Sequence, residues 1–237
     1  MQKSQGNLYL IPSFLSPQND ADFVSNANKQ IIYKIRYFIV ENIRTARRFL
    51  RAIGFNVNFE EVFFTELNKH TELLDTYQFL NPVNEGQNMG LISEAGMPCI
   101  ADPGAHIVML AHEQGIKVVP LAGGSSIIMA LIASGFNGQN FAFHGYLPLS
   151  QSDRVKKLKE LEQHAEISGQ TQIFMETPYR NNQLFDTLVK SLKPTTMLAI
   201  AADITDHTEF IRSKKIHDWA KTTPDLNKRP TIFLISK

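Results

Sequence analysis

The sequence has little cysteine, little excess charge and no long apolar run, and each shortage excludes a class of protein. Cys99 is the only cysteine, so no disulfide can form within the chain, which is typical of a reducing cytosol. The formal net charge is +1, whereas a protein that coats nucleic acid is usually much more basic. The most apolar run, Ile127 to Phe136, is about half the length that spans a bilayer. We therefore expect a soluble, cytoplasmic protein without a membrane segment.

Several patterns of metal sites and nucleotide-binding enzymes are also missing. The seven histidines include no H-x-x-x-H pair and no Cys/His cluster, so we expect no metal site. No Gly-x-Ser-x-Gly elbow indicates a hydrolase. Neither the dinucleotide fingerprint nor the P-loop occurs.

Ten short apolar runs alternate with segments of helical period. The runs are bounded by polar or Gly/Pro turns, as strands are, and apolar residues recur at three- and four-residue spacing between most of them. Strand–helix alternation predicts an α/β fold with mostly parallel strands. Less helical material separates the last runs, which predicts a mixed sheet there. The runs are Leu8–Ile11, Tyr37–Val40, Val62–Phe64, Met89–Ser93, Ile116–Leu121, Phe141–Phe143, Thr171–Met175, Met197–Ala201, Thr208–Ile211 and Thr231–Ile235.

A domain boundary is expected in the segment from Pro120 to Gly124, where a proline and two glycines interrupt the series. We expect an N-terminal α/β domain over residues 1–121 with a mainly parallel sheet. A C-terminal α/β domain with a mixed sheet would cover residues 122–237. A single continuous domain is the alternative, since the length of 237 residues fits either arrangement.

Two loops that follow predicted strands are rich in glycine. Residues 90–104 read GLISEAGMPCIADPG, and residues 118–127 read VVPLAGGSSI. Ligands of open α/β sheets bind beyond the carboxyl ends of strands, and glycine lets the backbone approach a ligand closely. The alternatives are an ordinary strand–helix loop capped by Asp102 and a plain helix-capping turn at Ser125 and Ser126.

A third segment, residues 173–180, reads IFMETPYR. A strand ends near Glu176, and Pro178 starts a helix, which places Tyr179 and Arg180 on its first turn. Arginine is unfavourable at a helix N-terminus because of the macrodipole. Arg180 is therefore expected either to pair with a carboxylate or to bind a phosphate.

A basic patch falls at the spacing i, i+3, i+4 and i+7, which places its members on one helix face. Like charges this close repel, so phosphate is the natural partner. The alternative is a solvated face with counter-charges from Glu60, Glu61 or another domain. The patch consists of Arg44, Arg47, Arg48 and Arg51.

Together the three loops resemble those of a known family. Residues 93–104 are similar to the S-D-A-G-T-P-x-I-S-D-P-G signature of the ribosomal RNA small-subunit methyltransferase I family, within the tetrapyrrole-methylase superfamily. Residues 118–126 resemble its V-P-x-P-G-x-S segment, and residues 174–180 its F-Y-E-S-P-H-R. Two further segments, 143–148 (FHGYLP) and 202–209 (ADITDHTE), resemble F-x-G-F-L-P and R-E-L-T-K-x-x-E. The likeness is collinear from about Gly6 to Lys237.

The resemblance implies two α/β domains, a homodimer, and S-adenosylmethionine in the cleft between the domains. It also implies ribosomal RNA or the small ribosomal subunit as partner. Backbone groups of the quoted loops would hold most of the cofactor. Carried over residue by residue, the cofactor contacts fall on Gly96, Met97, Ile100, Ser125, Ser126, Met175, Ala202, Pro230 and Thr231.

The sequence departs from the family pattern at two places. The family's first loop reads T-P-I-G-N-L-E-D, whereas residues 12–20 read PSFLSPQND and lack the glycine. The family's A-E-D-T-R becomes VENIR over residues 40–44, so Asn42 replaces an aspartate and cannot act as a base. The C-terminal extension of many family members is also expected to be absent.

The leading hypothesis is methyl transfer to an RNA ribose hydroxyl. A ribose hydroxyl is a poor acid, so a general base should help. The carboxylates on family-motif loops are Glu41, Asp102 and Glu176, and the sequence does not choose among them. The RNA would contact the four arginines with Tyr179 and Arg180. A small-molecule methylase of the tetrapyrrole type and a cofactor- or RNA-binding protein that has lost catalysis are the alternatives.

Overall fold

The computed structural model describes residues 5–18, 21–67 and 75–237. It divides into two compact units, Met1–Ser125 and Ser126–Lys237. The division therefore falls after Ser125, whereas the sequence suggested a boundary after Leu121. Asn19 and Asp20 of the altered first loop lie outside the described residues.

Unit 1 contains a five-stranded parallel sheet in the order β3-β2-β4-β1-β5. Its strands are β1 Asn7–Ile11, β2 Tyr37–Val40, β3 Phe63–Glu66, β4 Met89–Ile92 and β5 Lys117–Pro120. Its helices are α1 Asn26–Ile32, α2 Ile43–Ala52, α3 Asn81–Asn84 and α4 Gly104–Glu113, with 3₁₀ turns at Ala21–Phe23, Phe59–Glu61 and Asp75–Leu80.

Residues that alternate along the strands of unit 1 enter two separate cores. Phe38 and Val40 pack with the cluster under α1 and α2, whereas Ile39 packs with the cluster under α4. Successive strand side chains point to opposite faces, so both faces of this sheet are covered. A parallel sheet covered on both faces is the usual arrangement.

Unit 2 contains a five-stranded mixed sheet in the order β6-β7-β10-β8-β9, in which only the β6–β7 pair is parallel. Its strands are β6 Phe141–Tyr146, β7 Thr171–Met175, β8 Met197–Ala202, β9 Phe210–Lys215 and β10 Thr231–Ser236. Its helices are α5 Ser126–Ser134, α6 Gln151–Ser168, α7 Asn181–Ser191 and α8 Ile216–Trp219, with a 3₁₀ turn at Pro178–Arg180.

The fold class predicted from the sequence is confirmed: two α/β units, the first with a parallel sheet and the second with a mixed one. All ten predicted runs contain strand residues. The ninth run was predicted to start too early, because β9 starts at Phe210. Thr208 lies in the preceding turn, where its hydroxyl donates to the carboxylates of Asp203 and Asp206. Within the described ranges no helix is both long and apolar enough to cross a bilayer.

Candidate functional site

Three loops of unit 1 pack together at the carboxyl ends of its strands. The loop after β1 meets the loop after β4, where the Ser13 N–H donates to the Gly96 carbonyl at 3.0 Å. It also meets the loop after β5, since Pro12 lies against Gly123. The carboxyl end of a parallel sheet is where α/β proteins bind ligands, so these loops form the candidate site of unit 1.

The loop between β4 and α4 holds two non-glycine residues in the left-handed region, Cys99 at φ 69° and Ala101 at φ 61°. Such residues cost about 1–3 kcal/mol each and cluster at functional sites. Asp102 stabilises the turn: both carboxylate oxygens accept from the Cys99 N–H at 2.9 Å, and one also accepts from Gly104 N at 2.8 Å. The N-cap of α4 is Pro103 and the helix has no side-chain cap hydrogen bond, so Asp102 holds the turn before the helix and is not its N-cap.

Glu41, directly after β2, has few partners. Its carboxylate accepts one long hydrogen bond, 3.4 Å, from the Glu94 N–H. Burial raises its pKa, and the nearby charges of Asp102 and Glu94 raise it further against the opposing effect of that hydrogen bond. A carboxylate with a raised pKa is a stronger base when ionised.

In the described ranges no group of three or more His, Cys, Asp or Glu residues could hold a metal ion.

Asn42 caps the helix that carries the basic patch. Its side-chain oxygen accepts from the N–H groups of Arg44 at 2.9 Å and Thr45 at 3.2 Å. Asparagine caps a helix about as well as aspartate. The departure from the family's aspartate at this position therefore preserves the start of α2.

The basic patch divides into two pairs on α2. The guanidinium group of Arg47 lies 5.3 Å from the ring centre of Phe59, and that of Arg51 lies 4.2 Å from it. Arg51 also donates to the Phe55 carbonyl at 2.6 Å. All four arginines are exposed, but Arg44 and Arg48 make no such contact among the described residues. None of the four arginines is in an ion pair there, so the counter-charges considered at Glu60 and Glu61 are not used.

Four of the residues carried over for cofactor binding in unit 2 lie at one end of its sheet. Ala202, which ends β8, pairs with Thr231, which begins β10. Ile232, the next residue of β10, pairs with Met175 at the end of β7. The Pro230 carbonyl accepts from the Asp203 N–H at 2.9 Å. Strand pairing thus brings four of the five predicted residues of this unit to one end of the sheet, and the fifth, Ser126, begins α5.

Glu176 and Arg180 form an ion pair at the same edge. The buried Glu176 carboxylate accepts from the Arg180 guanidinium at 2.6 Å and from the Thr177 N–H at 2.7 Å. Of the two partners expected for Arg180, the structure therefore supplies the carboxylate. Three buried atoms beside the pair have no hydrogen-bond partner among the described residues: Glu176 Oε2, Arg180 Nε and Asn181 Oδ1.

The remaining predicted residues differ in exposure. Tyr179 is 75% exposed and Ile100 is 45% exposed, whereas Met97, Ser125 and Ser126 are partly buried. Sequence reasoning missed Glu94 as a site residue, although the quoted loop contains it. It also missed Ser13, for which no signal existed because that loop had lost the family pattern.

Gly123→Ala is expected to destabilise the protein by about 1–3 kcal/mol, the usual cost of overpacking. An added Cβ would lie 2.2 and 2.4 Å from two ring carbons of Pro12, and a proline ring cannot swing away. Gly138→Ala is the matched control, because a Cβ there meets nothing within 4 Å. Chemical denaturation of both variants tests this, and equal stabilities would contradict the packing of these loops.

The neighbouring Gly124 does not need to be glycine for its backbone angles. Gly124 is not among the residues with positive φ. A side chain there is limited by space instead, since its Cβ would lie 2.7 Å from Phe23 and 3.1 Å from Leu15.

Comparison with known proteins gives a consistent picture. The family model for tetrapyrrole (corrin/porphyrin) methylases matches residues 20–219. The chain is 29% identical to the ribosomal RNA small subunit methyltransferase I of Escherichia coli O157:H7, over 98% of this chain and 78% of the relative. It is 28% identical to the protein of that name in Pasteurella multocida, over 99% and 80%. The crystal structure of the methyltransferase CobJ superposes with a TM-score of 0.64 at 16% identity, over 98% of this chain and 94% of that one.

Proposed function

Because the chain belongs to the tetrapyrrole (corrin/porphyrin) methylase family and is an S-adenosylmethionine-dependent methyltransferase, we propose that it methylates a ribose 2′-hydroxyl of small-subunit ribosomal RNA. The names of its relatives support this acceptor. One observation carries the proposal: α2 presents Arg44 and Arg48, which have no ion pair or ring contact among the described residues, and it begins two residues after Glu41, whose pKa is raised.

The residues at the two sheet edges fit the cofactor that the family uses. In unit 1 these are Gly96, Met97, Ile100 and Ser125, and in unit 2 they are Ser126, Met175, Ala202, Pro230 and Thr231. The small residues leave backbone N–H and carbonyl groups accessible to a ligand. The partly buried Met97 and Met175 supply apolar surface for an adenine ring. When bound, S-adenosylmethionine supplies a methyl group activated on a sulfonium sulfur.

Glu41 is the carboxylate we propose as general base. Asp102 already accepts backbone N–H groups, and Glu176 is held by Arg180. Glu41 keeps most of its acceptor capacity, because among the described residues its carboxylate accepts only the long bond from Glu94. Glu41 would accept the hydroxyl proton of the acceptor ribose, which increases the nucleophilicity of the oxygen.

The RNA backbone would contact α2 through Arg44 and Arg48. Arginine binds phosphate in a planar, two-pronged geometry, and such contacts position a protein on RNA without reading sequence. Tyr179 remains a candidate contact because it is exposed, whereas Arg180 would have to leave Glu176. We also propose a cytoplasmic homodimer, which light scattering on the purified protein tests.

Transfer of tritiated methyl from S-adenosylmethionine to small ribosomal subunits of a deletion strain is the direct test. We expect label in the RNA of subunits from the deletion strain and none in subunits already modified by the wild-type strain. Nuclease digestion should then give a dinucleotide that resists cleavage, because a 2′-O-methyl group blocks it.

Two results would contradict the proposal. Label in a tetrapyrrole acceptor but not in RNA would favour a small-molecule methylase. Cofactor binding by calorimetry without transfer to any acceptor would favour a protein that has lost catalysis.

A further inference from the structure

A pocket of about 460 Å³ lies within unit 1, between the loop after β1, helix α2 and the loop after β4. Its volume is in the range of small-molecule sites. Phe14, Leu15 and Phe49 supply apolar lining, and Ser13, Arg48 and Glu94 supply polar groups. We call it the α2 pocket.

Ser13 gives the α2 pocket an unused polar group. Its side chain is buried, 4% exposed, and its hydroxyl has no hydrogen-bond partner among the described residues. A buried hydroxyl without a partner is costly, and it can both donate and accept. Ser93, which also lines the pocket, differs because its hydroxyl donates to the Gly96 carbonyl at 2.7 Å.

The walls of the α2 pocket combine aromatic rings with both signs of charge. The ring of half-buried Phe14 packs edge-on against Phe49, with centroids 5.0 Å apart. Arg48 brings a guanidinium group that is in no ion pair of the described chain, and the Glu94 carboxylate accepts from the Thr45 hydroxyl at 2.5 Å. The pocket therefore offers a planar apolar surface, a cation, an acceptor and a free hydroxyl.

We propose that the α2 pocket binds one nucleobase of the RNA substrate, unstacked from its neighbours, with Arg48 at the adjoining phosphate. The inference rests on the proposed function. Proteins recognise single-stranded RNA by stacking splayed bases on aromatic side chains and bonding their polar edges. Enzymes that do chemistry on a base likewise take it out of the stack to gain access to it. Ser13 and Glu94 would meet the polar edge of the base, and Phe14 its face.

Binding of short oligonucleotides tests this occupant. The probes are a hexa-adenylate and an abasic ribose-phosphate oligomer of the same length and charge. For the unsubstituted enzyme we expect the base-containing probe to bind about tenfold more tightly, as stacking of a base predicts. Phe14→Leu should bring that ratio close to one and leave the salt dependence unchanged, because phosphate contacts remain.

Ser13→Ala separates binding from folding. Removing a hydroxyl without a partner should not lower the melting temperature, yet affinity for the hexa-adenylate should fall several-fold. The matched control is Ser213→Ala in unit 2, whose hydroxyl donates to the Ser134 carbonyl at 2.7 Å. It should lower the melting temperature and leave RNA affinity unchanged.

Different experimental results would overturn this inference and the proposed function. Suppose that the enzyme methylates ribosomal subunits. Equal affinity for the two probes would then overturn the pocket assignment alone, and so would an affinity ratio that Phe14→Leu leaves unchanged. Loss of S-adenosylmethionine binding in both pocket variants would overturn it too, and would assign the pocket to the cofactor. An enzyme that neither methylates subunits nor binds the probes overturns both proposals.

Discussion

Glu41→Gln is expected to lower the rate of methyl transfer to RNA by about 10²- to 10⁴-fold, the usual contribution of a general base. The amide has nearly the same shape as the carboxylate but cannot take up a proton. Its oxygen can still accept from the Glu94 N–H, so the loop geometry should persist. Single-turnover transfer measures the rate, and calorimetry should show unchanged affinity for S-adenosylmethionine.

Glu113→Gln is the control for this change, because Glu113 is an exposed carboxylate at the end of α4 in the same unit. It should transfer methyl groups at the normal rate. A Glu41→Gln enzyme that keeps more than about a tenth of the activity would show that catalysis needs no base at this position.

The pH dependence of the rate gives an independent reading of the same group. Glu41 acts as a base only when ionised, so the rate should fall as the pH drops through its raised pKa. The charge of Glu94 contributes to that rise. Glu94→Gln removes the charge and keeps the backbone N–H, so the pKa of Glu41 should decrease. The acidic limb of the profile should therefore move to lower pH, and an unmoved limb would mean that another group titrates.

The strands were predictable because their signal is local. Buried parallel strands such as Met89–Ile92 read as short apolar runs between turns, and the alternation with helices gives the α/β class. The start of β9 was missed because the turn at Thr208 depends on hydrogen bonds to Asp203 and Asp206. Threonine favours strands in isolation, so the sequence pattern alone pointed the other way.

The candidate site was predictable at the level of loops and not of contacts. Motif order located the loops that carry Glu41, Asp102 and Glu176, but which carboxylate is free depends on partners that fold against it. Arg180, the partner of Glu176, is only four residues away. The sequence nevertheless left open whether Arg180 pairs with a carboxylate or binds a phosphate. The aromatic ring of Phe59 under Arg47 and Arg51 comes from a turn after α2, and helical spacing cannot show it.

Because Arg47 and Arg51 pack on Phe59 whereas Arg44 and Arg48 do not, we expect the two pairs of the basic patch to differ strongly in RNA binding. Arg44→Gln with Arg48→Gln should weaken RNA binding by about 30-fold, taking about 1 kcal/mol for each exposed arginine–phosphate contact. The logarithm of affinity should also depend less steeply on the logarithm of salt, by about 1.4 to 1.8 units for two lost phosphates. Binding of a ribosomal RNA fragment at several salt concentrations measures both quantities.

Arg47→Gln with Arg51→Gln is the matched control, because it removes the same charge at the same spacing from the same helix. Long-range attraction to RNA falls equally in the two double variants, so any difference reports direct contact. Since Arg47 and Arg51 pack on Phe59, their loss should reduce stability by about 1–2 kcal/mol and change the salt slope little. If both double variants flatten the slope equally, all four arginines reach phosphate and the packing on Phe59 gives way to RNA. If neither does, α2 is a solvated face, and the acceptor would have to be sought among small molecules, whose methylation does not require a basic helix face.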